Sequence, residues 1–303
     1  MKKQMKFGAL ALAIMAISFT SCESESADAI ENDQAEILVE ELVVTGANGR
    51  AALTDENLIE IIRYHLALDS GELTVGSFQS PEGTVEDVIF IGDDITTTEE
   101  QLIQLMEENE GLTRQFRTNN LVSAANQTID ILGYNGNDQF GLSPAAENGL
   151  RFAVNNYNRI SGSNLRFNLT FGTNTGPADM IVFDNSANNP GSSGGVAGFP
   201  SGGRPNRLVQ IFGLPTAANT ANNNLNEHVI THEIGHSIGF RHSDFTTRFS
   251  CGQNTNEGTA GVGAIQLPGT PATDPDSIMQ ACFSSGEDGE FSPADITALR
   301  AMY

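Results

Sequence analysis

The chain has 303 residues, of which 39% are apolar and 17% charged, with 31 Gly and a net charge of −23. That length allows one or two domains around a sizeable core, and the composition excludes a chain too polar to fold. The acidity excludes nucleic acid and anionic membrane surfaces as natural partners.

The charge is uneven. Residues 23–118 hold 23 Asp/Glu against 4 Arg, whereas residues 119–303 hold 15 against 8. The only lysines are Lys2, Lys3 and Lys6, at the very start. This asymmetry suggests two segments with different tasks.

In chain order, a basic start (MKKQMK) precedes the short apolar run FGALALAIMAISFT. Residues 1–21 read as a secretory signal, too short for a comfortable membrane span. The run ends in Ser21-Cys22, which resembles a bacterial lipobox. The resemblance implies that Cys22 becomes the lipidated first residue of an exported chain, anchored at the cell surface or in the periplasm. An ordinary signal cut nearby, with Cys22 unmodified, is the alternative. Residues 22–50 lack a period and read as an acidic tether.

Residues 51–118 read as a small acidic unit. Thr54 caps a helix carrying Leu58, Ile61, Ile62 and Leu66. Thr84–Ile91 is a strand that ends at Gly92-Asp93-Asp94. Thr98 with Gln101 forms a capping box for a second helix. From residue 119 the texture changes to Asn/Gly-rich loops between apolar runs. Strands are expected at Thr128–Leu132, Leu165–Phe171, Asp179–Phe183 and Leu208–Phe212, with a short edge strand at Gly194–Phe199. Ser143-Pro144 starts a helix. Asn224 with Glu227 caps another that runs to about Ile238, and Ser292-Pro293 starts a last one with Asp295 in its first turn. Residues 243–291 read as a long irregular stretch.

The segment His232-Glu233-Ile234-Gly235-His236-Ser237-Ile238-Gly239-Phe240-Arg241-His242 carries the chemistry. His232 and His236, four apart on a helix, share one face and can offer two imidazoles to one metal. Gly239 lets the chain leave the helix in a left-handed turn and bring His242 back as a third ligand. Glu233 lies beside the first ligand, where a carboxylate can act as general base toward activated water. Three His, a Glu and a Gly at these offsets arise by chance on the order of once in 100,000 chains of this composition. Arg241 and Asp244 read as surface charges, and His228, one turn before His232, as core packing or support. The two remaining cysteines, Cys251 and Cys282, form an even pair in an exported chain. A disulfide between them is expected to stabilise by roughly 3–4 kcal/mol.

The long motif resembles the metzincin signature. Its spelling, HEIGH, is similar to the dual-action HEIGH metallopeptidases, relatives of the astacins. Ser277-Ile278-Met279 resembles the Met-turn, with Met279 beneath the site. Over residues 119–303 the resemblance implies an α+β zincin domain: a mixed five-stranded sheet, a zinc helix and a C-terminal helix. It implies one catalytic Zn²⁺ on His232, His236 and His242, and protein or peptide substrates cleaved internally. Ala281 stands where astacins carry a Tyr, and Ser243 follows the third His as in matrixins.

Astacin propeptides occupy the zinc with an Asp in a Phe-x-Gly-Asp motif. Phe90-Ile91-Gly92-Asp93 matches it and makes Asp93 a latch candidate; a plain Gly-Asp turn is the alternative. Cleavage near Arg114–Asn120 would then shed the catalytic part from an anchored precursor. A zinc amidase on a non-protein substrate and a surface binding lipoprotein with a vestigial zinc site remain alternatives. Asp184–Asn189 and Asp274–Asp276 are candidate Ca²⁺ loops, or simply turns. Oligomeric state is not legible.

Overall fold

The structure, a computed structural model, describes residues 50–52, 73–91, 94–98, 117–258, 263–265, 267, 274 and 276–303. Residues Val44–Tyr303 cluster as one compact unit. Cys22, the signal and tether, the helices expected after Thr54 and Thr98, and Asp93 lie outside the described residues.

Nine strands form one sheet among the described residues: β1 (Arg50–Ala52), β2 (Leu73–Gln79), β3 (Val85–Ile91), β4 (Ile95–Thr97), β5 (Thr128–Tyr134), β6 (Arg166–Gly172), β7 (Met180–Asp184), β8 (Gly194–Ala197) and β9 (Leu208–Phe212). Their spatial order is β1-β2-β3-β4-β8-β9-β7-β5-β6. The expected mixed five-stranded sheet is the β8-β9-β7-β5-β6 part. There β5 pairs parallel with β6 and β7, β7 parallel with β9, and β8 antiparallel with β9. The front strands β1 to β4 are mutually antiparallel and continue this sheet through one parallel bridge, Ile95 to Ala197. Gly194–Phe199 is therefore not an edge in this chain. Strand β8 spans only Gly194–Ala197, and β4 lies along it.

Side chains alternate between the two faces of each strand. Ile129, Ile131, Met180, Val182, Val209 and Ile211 join the helices in the main core. Ile181, Phe183 and Leu208 pack in a second cluster with Tyr134 and Phe140. Helix α1 (Pro144–Asn158) starts where expected: the Ser143 side chain accepts from Ala146 N–H, and Pro144 fills the first position, where no N–H is needed. Helix α2 (Thr220–Ser237) starts earlier than Asn224. The Asn219 side chain accepts from Asn222 N–H and forms the cap. Glu227 is not a capping residue but is buried, accepting from Asn156 Nδ2 at 2.7 Å. The two helices pack closely because residue 149 is Gly. A Cβ there would stand 2.7 Å from Asn226 Cβ and from the Glu227 nitrogen. Helix α3 (Pro293–Met302) opens with a capping box between Ser292 and Asp295.

Candidate metal centre

The first two imidazoles come from the last turns of α2, which is buried on all sides from Asn226 onward. The helix ends at Gly239, whose φ of +109° is a backbone state that L side chains avoid. Phe240 N–H returns to the Gly235 carbonyl at 2.9 Å, a Schellman-type closure. A side chain at residue 239 would also press on Leu121 Cδ2, 2.9 Å from the Cβ position. This turn carries the chain back so that His242 faces His236.

Each ring has its outer nitrogen occupied. His232 Nδ1 meets the Ile278 carbonyl at 2.8 Å, and His236 Nδ1 meets the Phe240 carbonyl at 2.9 Å. His242 Nδ1 meets both oxygens of Glu257, at 2.7 and 2.9 Å. All three partners only accept, so each Nδ1 carries a proton, and with a metal bound each Nε2 would present its lone pair to it. The Nε2 atoms of His236 and His242 are 3.1 Å apart. Two nitrogens so close need either a proton or a cation between them. Asp94 completes the cluster, with Oδ2 2.7 Å from His242 Nε2 and 3.6 Å from His232 Nε2. All four ligand atoms lie within 4.8 Å of one another. Zinc bonds of about 2.0–2.1 Å in a tetrahedron put ligand atoms roughly 3.3 Å apart, and the separations of 2.7, 3.1 and 3.6 Å bracket that spacing.

Burial shapes the charges here. Glu233 is buried beside the cluster, and Oε2 has no hydrogen-bond partner. Burial, reinforced by the nearby Asp94 carboxylate, pushes its pKa well above the usual range. Burial also opposes ionisation of Asp94, but His242 and His232 outweigh it and hold that carboxyl well below the usual range. His236 is lowered by burial and by its neighbouring rings. His242 is buried too, yet Asp94 and Glu257 raise it to about 10. A bound dication would add a larger charge than any of these groups.

The residues 89–303 match the model of the dual-action HEIGH metallo-peptidases. The chain belongs to this metallopeptidase family. The match begins within β3 and so takes in β4 and Asp94. Two solved structures of myroilysin are 14% identical to this HEIGH chain. One covers 60% of it and 82% of its own length at a TM-score of 0.38; the other covers 60% and 86% at 0.36. No curated protein matches the chain.

In this HEIGH peptidase Ser277-Ile278-Met279 packs against the histidine helix, with the Ile278 carbonyl on His232 and Met279 Sδ over Gly235. Ser243 N–H donates to the Met279 carbonyl at 2.7 Å. Residue 235 of HEIGH must be small, since a Cβ there would stand 2.5 Å from Met279 Sδ. Asp295, seen in the sequence only as a first-turn acid, also accepts from Ser277 Oγ at 2.7 Å and Ile278 N–H at 2.9 Å. It thus ties α3 to the segment holding His232. Cys251 and Cys282 form the expected disulfide.

Two readings need correction. Arg241 is not a surface charge but 1% exposed, because Glu257 at 3.6 Å and the Gly258 carbonyl at 2.9 Å receive its guanidinium. Asp244 is buried as well. It accepts from Ser250 and from Ala281 N–H, bridging the loop after His242 to the Met279 segment. His228 is buried and stays outside the metal cluster. Burial, with help from His232, lowers its pKa to about 3, so it is neutral. The carboxylates of Asp184 and Asp274 accept turn hydrogen bonds from Ser186 N–H and Asp276 N–H, and nothing supports Ca²⁺ at either loop.

Proposed function

We propose that this chain is a zinc-dependent endopeptidase made as a latent precursor. The observation that carries this reading is the convergence of three Nε2 lone pairs and the Asp94 carboxylate on one point beside buried Glu233. His232, His236 and His242 would hold the ion. Zinc held there would supply the Lewis acidity that lowers the pKa of a water toward about 7 and polarises the scissile carbonyl.

Glu233 takes the proton of the attacking water and returns it to the departing amine nitrogen. Its raised pKa suits the second half of that task, because an acid that holds its proton near neutral pH can also deliver it. The substrate adds as a strand along β8, with main-chain hydrogen bonds giving affinity. Gly195 of β8 is part of this fit: a Cβ there would stand 2.5 Å from Glu233 Cγ.

The front segment blocks both features. Strand β4 lies on β8, and Asp94 Oδ2, 2.7 Å from His242 Nε2, would take the coordination position that the water needs. Asp94, one residue beyond the Phe-x-Gly-Asp candidate, is thus the latch in this reading. Maturation removes residues up to a cut N-terminal to Arg117. Arg117 and Thr118 are themselves tied in, through Ile265 and Gly239. A lipid on Cys22 would anchor the precursor, and the cut would shed the enzyme.

Casein digestion by the processed protein tests the activity. Hydrolysis is expected, with loss on chelation, recovery with zinc, and a fall of about 10²–10⁴-fold in Glu233→Gln. Digestion that survives both the chelator and the substitution would contradict the reading. Intact casein with release of acyl groups from non-protein amides would favour an amidase instead.

A further inference from the structure

We propose that Glu257 is the positioning residue for the third zinc ligand, fixing the tautomer and direction of His242; this rests on the zinc reading above. His232 and His236 are held by a helix and by backbone carbonyls. His242 is past the helix, beyond the Gly239 turn, and its Nδ1 has only side-chain acceptors, the two oxygens of Glu257. A carboxylate accepts and cannot donate, so it forces the proton onto Nδ1 and leaves the Nε2 lone pair for the metal. A carboxylate behind an imidazole also makes it a more basic ligand.

Glu257 is itself built in. Its side chain is 5% exposed, with Arg248 at 3.1 Å and Arg241 at 3.6 Å. Its N–H donates to the Phe245 carbonyl at 2.8 Å, and Thr255 N–H donates to the Thr247 carbonyl at 3.0 Å. These bonds close the loop that starts at His242 back onto itself. The Cys251–Cys282 disulfide and the Asp244 bonds to Ser250 and Ala281 then clamp this loop to the segment after Met279. The carboxylate is therefore fixed relative to both the helix and the Met279 segment. Fifteen residues separate Glu257 from His242, so no part of the zinc motif contains it.

The test is zinc affinity of the full chain, by competition with a chelator of known affinity, in the parent, Glu257→Gln and Glu257→Ala. A positioning role predicts affinity about 10–100-fold weaker in Glu257→Gln, and weaker again in Glu257→Ala. A residue that only stabilises the fold would lower the melting temperature and leave the affinity of the folded protein unchanged. Affinities within twofold of the parent overturn the proposal while sparing the zinc site. A parent that binds no zinc overturns both. Should neither variant fold, nitrogen-15 NMR of the zinc-loaded parent decides. A downfield, slowly exchanging His242 Nδ1 proton is expected, and a rapidly exchanging one would overturn the assignment.

Discussion

The front strands β1 to β4 and the β5-to-α3 part that follows share one sheet but are held in different ways. The second is a layered core: α1, α2 and α3 pack on strands whose inward residues are almost fully buried. The front strands meet it through the Ile95–Ala197 bridge and a small apolar cluster of Val88, Phe90, Val196 and Phe212. A partly exposed Arg207–Glu82 ion pair, worth about 0–1 kcal/mol, and the Asp94 carboxylate add to the contact. The lopsided charge follows the same division. Described strands that join the core through one bridge, a four-residue apolar cluster and one carboxylate in the metal cluster are suited to be displaced. A segment with a closed core is suited to stand alone if the proposed cut is made.

The sharpest way to break this comparison is to remove the proposed latch, Asp94, alone. Asp94→Ala in the uncleaved chain is expected to raise casein hydrolysis by about 1,000-fold, since a tethered ligand acts at high effective concentration. Asp93→Ala should leave latency intact. If the two substitutions act alike, Asp94 is not the latch.

Next in size is the clamp within the β5-to-α3 part. Replacing Cys251 and Cys282 together by Ala should lower stability by about 3–4 kcal/mol in urea unfolding. A loss under 1 kcal/mol would mean that the loop is held by the Asp244 bonds alone. Gly195→Ala comes third. Its methyl displaces Glu233, and a misplacement on the order of 1 Å lowers kcat about 100-fold, with zinc content unchanged. Retention of full kcat would show that β8 gives way.

The smallest effect belongs to Glu227 in α2. Burial raises its folded pKa from 4.5 to about 7, despite the Asn156 hydrogen bond. Between those values the unfolded chain has already lost this proton and the folded chain still keeps it. Stability therefore falls as pH rises through that window, by on the order of 1–2 kcal/mol. Glu227→Gln should flatten this part of the stability–pH curve, and an unchanged slope would assign it to another group.

Much of the β5-to-α3 part was legible because local chemistry there agrees with the fold. Ser143-Pro144 and Ser292-Pro293 cap the helices they announce, and Thr128, Asp179 and Leu208 lie at or beside the starts of the strands read from them. The HEIGH offsets dictate a shared helix face for His232 and His236, and Gly239 announces the turn that returns His242, so three of the four clustered residues could be read directly. What stayed hidden depends on contacts between distant segments. Strands β2 and β4 carry too little periodicity to be seen alone, and β4 exists through pairing with β3 and β8. Asp94 and Glu257 reach the imidazoles from 138 and 15 residues away from the nearest histidine they contact. Arg241 reads as an exposed charge until the loop carrying Glu257 folds over it. The Asn224 cap failed because Asn219, an equally good acceptor, is placed at the end of the preceding loop.

Zinc-edge anomalous diffraction from crystals of the uncleaved chain tests the central claim most directly. One zinc peak is predicted, bonded to Nε2 of His232, His236 and His242 and to a carboxylate oxygen of Asp94. No zinc at the three imidazoles, or zinc there with Asp94 turned away, would contradict the account.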